Sequence, residues 1–355
     1  MKKKSKIIKN AIIFILLIIL TFYIILKDQN IGEMFQILGT VKLQYILIAV
    51  LCMCIYVLGE SINIGRTLKA LNEKTTFFQN IKYALIGFFF SGITPAASGG
   101  QPMQIYYMYK DKISVANSTL SLLINLSSMQ VVTISLALIS VVVNHSIMNT
   151  ALICFFVIGI LLNASALTLL IIAIFHKKLL QKLINFVVKI MKKIKIKNVD
   201  KKQEKIENEL SKYQASCDYI KEHKLVMLKT IFTTYIQFLA YYSVSYWVYR
   251  SFGLNEYNIL KIISIQSVLY GTVSGIPSPG AVGVTEGGFI EIFKTVFPKN
   301  SINGAMILNR GINFYLLIVI SAVITMTNAI KFQKMEEKNT ENNEEISWKK
   351  QKNNI

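Results

Sequence analysis

The chain has 355 residues, of which 53% are hydrophobic and only 16% charged, with a mean hydropathy of +0.47 and a formal net charge of +20. That is more apolar surface than one water-soluble core of this size buries, which excludes an ordinary soluble globular enzyme and predicts a multi-span membrane protein. The positive charge gathers beside the ends of apolar runs rather than on one folded face, so it points to a membrane surface and away from direct nucleic-acid binding.

In chain order, the first predicted element is Ala11 to Leu26, behind five lysines in MKKKSKIIKN. Its apolar stretch is longer than that of a secretory signal and lacks a small-residue cleavage site, so it reads as a retained helix. The runs Leu43 to Gly59, Val115 to Val143, Ile147 to Phe175, Leu225 to Tyr249 and Ile302 to Ile330 follow. Each approaches or exceeds the ~20 apolar residues that a helix needs to cross a hydrocarbon core of ~30 Å. No alternation of the outer-membrane barrel kind is present, so the spans are helical.

Charge sets the orientation. Residues 177–224 carry 14 lysines against six acids, whereas residues 144–149 (NHSIMN) carry neither. The positive-inside rule places the N-terminus, this long loop and the C-terminal tail in the cytoplasm. Arg66, Lys69 and Lys74 follow the second helix inside, and the helix from Val115 must also start inside. Residues 83–109 therefore begin and end on one side, which forbids a single span. The same count makes residues 258–299 begin and end outside. In the middle of the two segments lie SGITPAASGGQP (91–102) and SGIPSPGAVGVTEGG (274–288). An ungapped alignment pairs Ser91, Gly92, Ile93 and Gly100 with Ser274, Gly275, Ile276 and Gly283. Apolar segments broken by Gly and Pro at corresponding places in two halves point to inverted repeats around a central binding site. The predicted fold is an all-α polytopic membrane protein, an inverted-repeat helix bundle with two re-entrant Gly/Pro-broken hairpins. Its parts are residues 1–175 (with segment 83–109), a basic cytoplasmic loop 176–224, residues 225–332 (with segment 258–299) and a polar tail 333–355.

Broken backbone survives at membrane depth only when it is buried in protein or lines a wet cavity. Pro95, Pro102, Pro277 and Pro279 are expected to end the half-helices and form the turns, and Gly99, Gly100, Gly280 and Gly283 to let backbone amides approach an anion. An ionised side chain at the bilayer centre costs roughly 2.5–3.5 kcal/mol on insertion scales, so charges inside spans are functional candidates. Glu286, directly behind the second motif, and Arg310, at the head of the last helix, are the leading pair, with a structural ion pair as the competing reading. Glu60, Arg66 and Glu291 are secondary candidates, equally readable as interfacial charges. Gln101, Gln104, Asn125, Gln130, Gln237 and Gln266 are candidate cavity linings or interhelical hydrogen-bonding groups. The four cysteines and three histidines show no ligand spacing, so no metal site and no cofactor are expected. In the loop, Leu180, Leu183, Ile184, Val187, Met191 and Ile194 form the apolar face of a basic in-plane helix. Beyond it, Ile206, Leu210, Tyr213, Cys217 and Ile220 make a packing stripe.

GITPAASGGQPMQIYYMYKD, GIPSPGAVGVTEGGFIEIF and NRGINFYLLIVIS resemble the membrane domain of bacterial lysylphosphatidylglycerol synthase/flippase proteins, the multiple peptide resistance factor group, over about residues 7–332. The resemblance implies a flippase that moves lysyl-phosphatidylglycerol to the outer leaflet of the bacterial cell membrane, linked to resistance to cationic peptides. Its expected partners are membrane phospholipids, anionic or aminoacylated phosphatidylglycerol. In this reading Glu286 holds an ammonium and Arg310, with half-helix amides, the phosphate. Family members that transfer lysine from lysyl-tRNA do so with a soluble domain, and no residues here match that site. The alternatives are a phosphatidylglycerol lysyltransferase, by family label or with a separate soluble aminoacyltransferase as partner, and a translocase for another phospholipid or a polyprenyl-linked lipid. Oligomeric state is not fixed by the sequence.

Overall fold

The computed structural model describes residues 39–94, 97–144, 150–176, 199–276 and 279–332, with isolated positions at 36, 148, 178, 181, 182, 185 and 189. The predicted first helix, the in-plane helix of the basic loop and the polar tail lie outside the described residues. The elements, in order, are α1 (Leu43–Ala70), α2 (Phe77–Ile93), α3 (Gly100–Lys110), α4 (Val115–Val143), α5 (Thr150–Phe175), α6 (Val199–Glu222), α7 (Lys224–Ser251), α8 (Ile259–Val273), α9 (Val284–Phe293) and α10 (Ile302–Phe332). No strand occurs among the described residues. The protein is an all-α polytopic membrane protein.

Four of these helices, α1, α4, α5 and α10, are long and apolar enough to span a bilayer. Along α1, Leu43, Leu47, Leu51, Ile55, Leu58 and Ile62 are exposed at three- and four-residue intervals, an apolar stripe that faces outward, as a lipid-facing surface does. The predicted span Leu225 to Tyr249 is the 28-residue α7, about 42 Å at 1.5 Å per residue. It is less apolar because its interior face carries Thr230, Thr234, Gln237, Ser243 and Ser245, all buried against neighbouring helices.

Two long helices pack antiparallel at the centre. At one end the Lys42 amide donates to the Ser251 carbonyl at 2.9 Å; further along, Asn63 Nδ2 donates to Thr234 Oγ1 at 3.0 Å. Between these points Gly59 lets α1 ride against Gln237 of α7. Each of the two helices is followed by a broken hairpin. The capping box of Thr76 and Gln79 starts α2. The chain turns back at Thr94–Gly99, and α3 returns beside α2, with Gln104 against Tyr83 and Gly87, and Lys82 paired with Asp111 at the open end. Asn258, whose side chain accepts from the Lys261 amide at 2.9 Å, starts α8. This helix turns back so that Gly288 of α9 meets Leu269 and Val273, and Tyr257 reaches Thr295 at the open end. The first hairpin opens where α1 ends and the second where α1 begins, so the two enter the bundle from opposite ends. A long helix, α4 or α10, closes each half.

The stripe Leu210, Tyr213, Cys217 and Ile220 is buried on α6, packed on Leu71, Ala116, Leu120 and Ile174. Tyr213 Oη donates to the Ala173 carbonyl at 3.0 Å. This places α6 across the end of the bundle at which α4 begins.

Close backbone contact between α5 and α8 depends on Gly159, where a Cβ would stand 2.4 Å from the Thr272 carbonyl oxygen. Gly159→Ala is expected to force the helices apart at a cost of about 1–3 kcal/mol, whereas Gly287→Ala, with open space around it, should be neutral or slightly stabilising. Thermal unfolding in detergent measures both; equal midpoints for the two variants contradict the packing argument.

Candidate functional site

The two breaks meet. A Cβ on Gly280 would lie 3.1 Å from the Gly92 carbonyl oxygen and 2.3 Å from Phe314 Cζ, so the second turn rests on the end of α2 and on α10 with no room for a side chain. Gly280 also has φ +58°, a conformation that favours glycine. Ala97 and Ala281 have nearly the same left-handed φ, +53° and +52°, and each stands two residues before a glycine, Gly99 or Gly283, that caps the returning helix. The ungapped pairing of Gly100 with Gly283 is thereby corrected to Gly99 with Gly283. The second break, 274–282, is longer than the first, 94–98, and shifts the register at its far end.

Each break binds its own backbone through a side chain. In the first, Thr94 Oγ1 donates to the Phe90 carbonyl at 2.6 Å and accepts from the Gly99 amide at 2.9 Å. In the second, Glu286 in the opening turn of α9 accepts from the Gly283 amide at 2.6 Å, as a carboxylate at a helix N-terminus favourably does. Arg310 Nε donates to the other carboxylate oxygen at 2.9 Å, and Arg310 Nη2 donates to the Gly280 carbonyl at 2.9 Å. Tyr315 Oη donates to the same Glu286 oxygen at 3.4 Å. Both charged residues are buried, 7% and 4% exposed, and the guanidinium lies 4.4 Å from the Phe314 ring centre. A turn of π-helix, Gly311–Tyr315, follows Arg310 and aims Arg310, Asn313 and Phe314 one way and Tyr315 toward Glu286. Such one-turn bulges often mark functional positions in helices.

Between the hairpin tips lies a cavity of about 360 Å³. Its wall includes Gln101, Gln104, Asn125, Gln130 and Gln266 of the six amides singled out from the sequence; Gln237 faces Gly59 instead. The charged residues on the wall are Glu60 and Arg310. Asn125 Oδ1, Gln130 Oε1 and Asn313 Oδ1 are buried there without a hydrogen-bond partner among the described residues. Unsatisfied buried acceptors around a polar void mark it as a place for water or ligand.

The remaining candidates fall as follows. Gly280 lines the cavity, while Gly99, Gly100 and Gly283 shape the turns behind it. Gly100 touches Ser91 and the Gly87 carbonyl, a close approach of α3 to α2. Pro102 sits in the first turn of α3, where its missing N–H costs nothing, so it begins a half-helix rather than ending one. Pro279 lies in the 279–281 turn, and Pro95 and Pro277 fall outside the described residues. Glu286 touches the cavity only through Arg310. Arg66 is spent on Asn63, Thr233 and the Lys229 carbonyl, tying α1 to α7. Glu291 pairs with Lys294 on the exposed side of α9. Sequence reasoning missed the aromatic residues Tyr56, Phe238, Tyr241 and Tyr270 on the wall, and Asn313. Tyr56, one helical turn before Glu60, carried the one available signal. Among the described residues no group of His, Cys, Asp and Glu is placed to hold a metal.

The fold and the site define a polytopic membrane protein built of two halves, each with a broken hairpin, around a polar cavity. The chain matches the description "Lysylphosphatidylglycerol synthase TM region" over residues 7–321 and belongs to that family. It is thus a membrane domain of the lysyl-phosphatidylglycerol pathway. Comparison with curated proteins finds no matching relative.

Removing one partner of a buried pair strands the other. Glu286→Ala and Arg310→Ala are each expected to lose about 3–5 kcal/mol, and the double variant clearly less than their sum. Unfolding titrations of all four proteins in mixed micelles give the coupling directly; additive losses contradict the pairing.

Proposed function

We propose that the protein is a lipid translocase whose central cavity receives a phospholipid headgroup while the acyl chains stay in the bilayer. The observation that carries this reading is the cavity itself, a polar space holding an arginine, a carboxylate and unsatisfied amides between two hairpin tips, inside a bundle whose outer faces are apolar. Its volume falls within the ~300–1,000 Å³ typical of small-ligand sites, enough for a headgroup and too little for a whole lipid. Family membership makes lysyl-phosphatidylglycerol the first passenger to test, carried toward the outer leaflet of the bacterial cell membrane, with consequent resistance to cationic peptides. Lysine-rich flanks support cytoplasmic termini, with the α2–α3 hairpin opening to the cytoplasm and the α8–α9 hairpin to the outside. Other phospholipids and polyprenyl-linked lipids remain in the test set. Arg310 binds the phosphate in this reading, and Glu286 acts as the residue that positions Arg310.

The second reading, phosphatidylglycerol lysyltransferase, rests on the synthase in the family's description. Among the described residues of the cavity wall there is no histidine or cysteine and one carboxylate, which is poor equipment for acyl transfer within the cavity. A separate soluble aminoacyltransferase as partner belongs to this reading. Product formed by the purified chain from lysyl-tRNA and phosphatidylglycerol favours it.

The decisive measurement is leaflet-resolved lipid distribution in proteoliposomes carrying lysylated or unmodified phosphatidylglycerol. Wild type is expected to equilibrate lysyl-phosphatidylglycerol across the bilayer faster than empty vesicles. Glu286→Gln should lower the rate by about tenfold or more, because a neutral amide no longer holds Arg310 by charge. Wild-type vesicles no faster than empty ones refute the translocase.

A further inference from the structure

The wall of the cavity is electrically lopsided. Arg310 is neutralised in place by Glu286, which faces away from the space. Glu60 is not neutralised. Among the described residues its one hydrogen-bond partner is a neutral amide, Gln104 Nε2 at 3.3 Å, and no lysine, arginine or histidine is paired with it. The Gln104 amide gives its second N–H to the Tyr83 carbonyl at 3.1 Å, so Glu60 receives one hydrogen bond from it. A carboxylate withdrawn from bulk water with one long hydrogen bond from a neutral amide is costly, and a cation in the adjoining space relieves that cost.

The surroundings of Glu60 supply the rest of a cation site. Tyr56, four residues earlier on the same face of α1, packs on Tyr241 of α7 with ring centres 5.1 Å apart and 43° between planes. Tyr241 in turn meets Tyr270 of α8 at 5.6 Å, and Phe238 lies 5.5 Å from Tyr270. All four rings line the cavity together with Glu60. Several tilted aromatic faces beside one carboxylate form the arrangement that attracts an ammonium, through the negative faces of the rings and through direct charge. Close approach of α1 to α7 at Gly59 is what brings these rings together.

We propose that Glu60, with Tyr56, Tyr241 and Tyr270, forms a subsite for the primary ammonium of a lipid headgroup, on the wall of the same cavity that Arg310 lines. The assignment rests on the lipid-headgroup reading of the cavity, and it removes Glu286 from the ammonium-binding role predicted from the sequence. The matching chemistry is a phosphodiester and a primary amine in one headgroup, which aminoacylated phosphatidylglycerol and phosphatidylethanolamine share and phosphatidylglycerol lacks.

The test is a binding cycle on the full chain in detergent, by titration calorimetry. The probes are short-chain lysyl-phosphatidylglycerol, the same lipid with both amines acetylated, phosphatidylethanolamine and phosphatidylglycerol. Acetylation is expected to weaken binding to wild type by about 30-fold or more, as loss of a desolvated charge partner does. The same acetylation should cost Glu60→Gln little, and Glu60→Asp should restore part of the discrimination. Tyr241→Leu should also reduce it. Amine dependence in phosphatidylethanolamine as well as the lysylated lipid identifies a general ammonium subsite; dependence confined to the lysylated lipid assigns the longer amine arm. Either supports the proposal. Wild type that binds acetylated and free lipid alike, a comparison that needs no variant, overturns it, as does an equal acetylation penalty in Glu60→Gln. Because binding is read without transport, wild type that shows the amine dependence but does not move lipid removes the translocase and leaves the subsite. Transport that proceeds equally for free and acetylated lipid removes the subsite and leaves the translocase.

Discussion

A peptide group that leaves a helix inside an apolar bundle has no water to turn to, and this constraint organises the structure. The chain breaks helical hydrogen bonding twice, at 94–99 and at 274–283, and must bind the released amides and carbonyls from within. Among the described residues, the short first break is held by the Thr94 hydroxyl, donating to Phe90 and accepting from Gly99, and by the Ala97 amide donating to the Thr94 carbonyl. The longer second break takes two charged side chains, Glu286 on the Gly283 amide and Arg310 on the Gly280 carbonyl, and these are joined to each other. The ion pair is therefore part of the backbone's hydrogen bonding. Its desolvation cost is offset by four contacts that satisfy the turn as well as the charges.

Glycine placement follows from the same requirement. A turn that is satisfied internally must be pressed against its neighbours. Gly280 has the Gly92 carbonyl and the Phe314 ring where a side chain would go, and Gly159 has the Thr272 carbonyl. Small residues let these backbones approach where lipid provides no hydrophobic drive for helices to associate. Polar side chains then close the remaining gaps, as Asn163 does from α5, donating to Gly271 and accepting from Ser274. What this packing leaves between the tips is a space lined by Asn125, Gln130 and Asn313, each of which holds a buried acceptor with no partner among the described residues.

Both hairpins were legible in the sequence because parity is a hard constraint. Under the positive-inside rule, lysine-rich flanks assign an expected side to each long helix, and a segment expected to begin and end on one side has to turn back. Glu286 and Arg310 were legible because charge within an apolar run is expensive. The same argument did not separate them from Arg66 and Glu291. Arg66 looks alike in one dimension, yet the antiparallel α7 supplies it with two acceptors, the Lys229 carbonyl and Thr233 Oγ1, which no local pattern announces. Glu291 stands five residues after Glu286, about 140° away around the helix at 100° per residue, and so faces outward. The tyrosine cluster was invisible for another reason. Tyr56, Tyr241 and Tyr270 come from three helices spread over more than half the chain, and each alone is ordinary in a membrane span. The π turn at Gly311–Tyr315, which aims Arg310 and Asn313 at the cavity, has no sequence signal beyond one glycine.

The two halves repeat a scaffold but divide its chemistry. Where the second half consumes a carboxylate in closing its longer break, the first closes its shorter one with a hydroxyl and keeps Glu60 on the wall. Arg310 is paired with Glu286, whereas Glu60, the carboxylate on the wall, is paired with no cation among the described residues. A simple anion satisfies the arginine and aggravates the carboxylate; a simple cation does the reverse. A headgroup that carries both signs, separated by a few bonds, satisfies both at once. That asymmetry accompanies the difference in break length: the longer turn is closed by an ion pair and the shorter by a hydroxyl, so the first half's carboxylate stays available on the cavity wall.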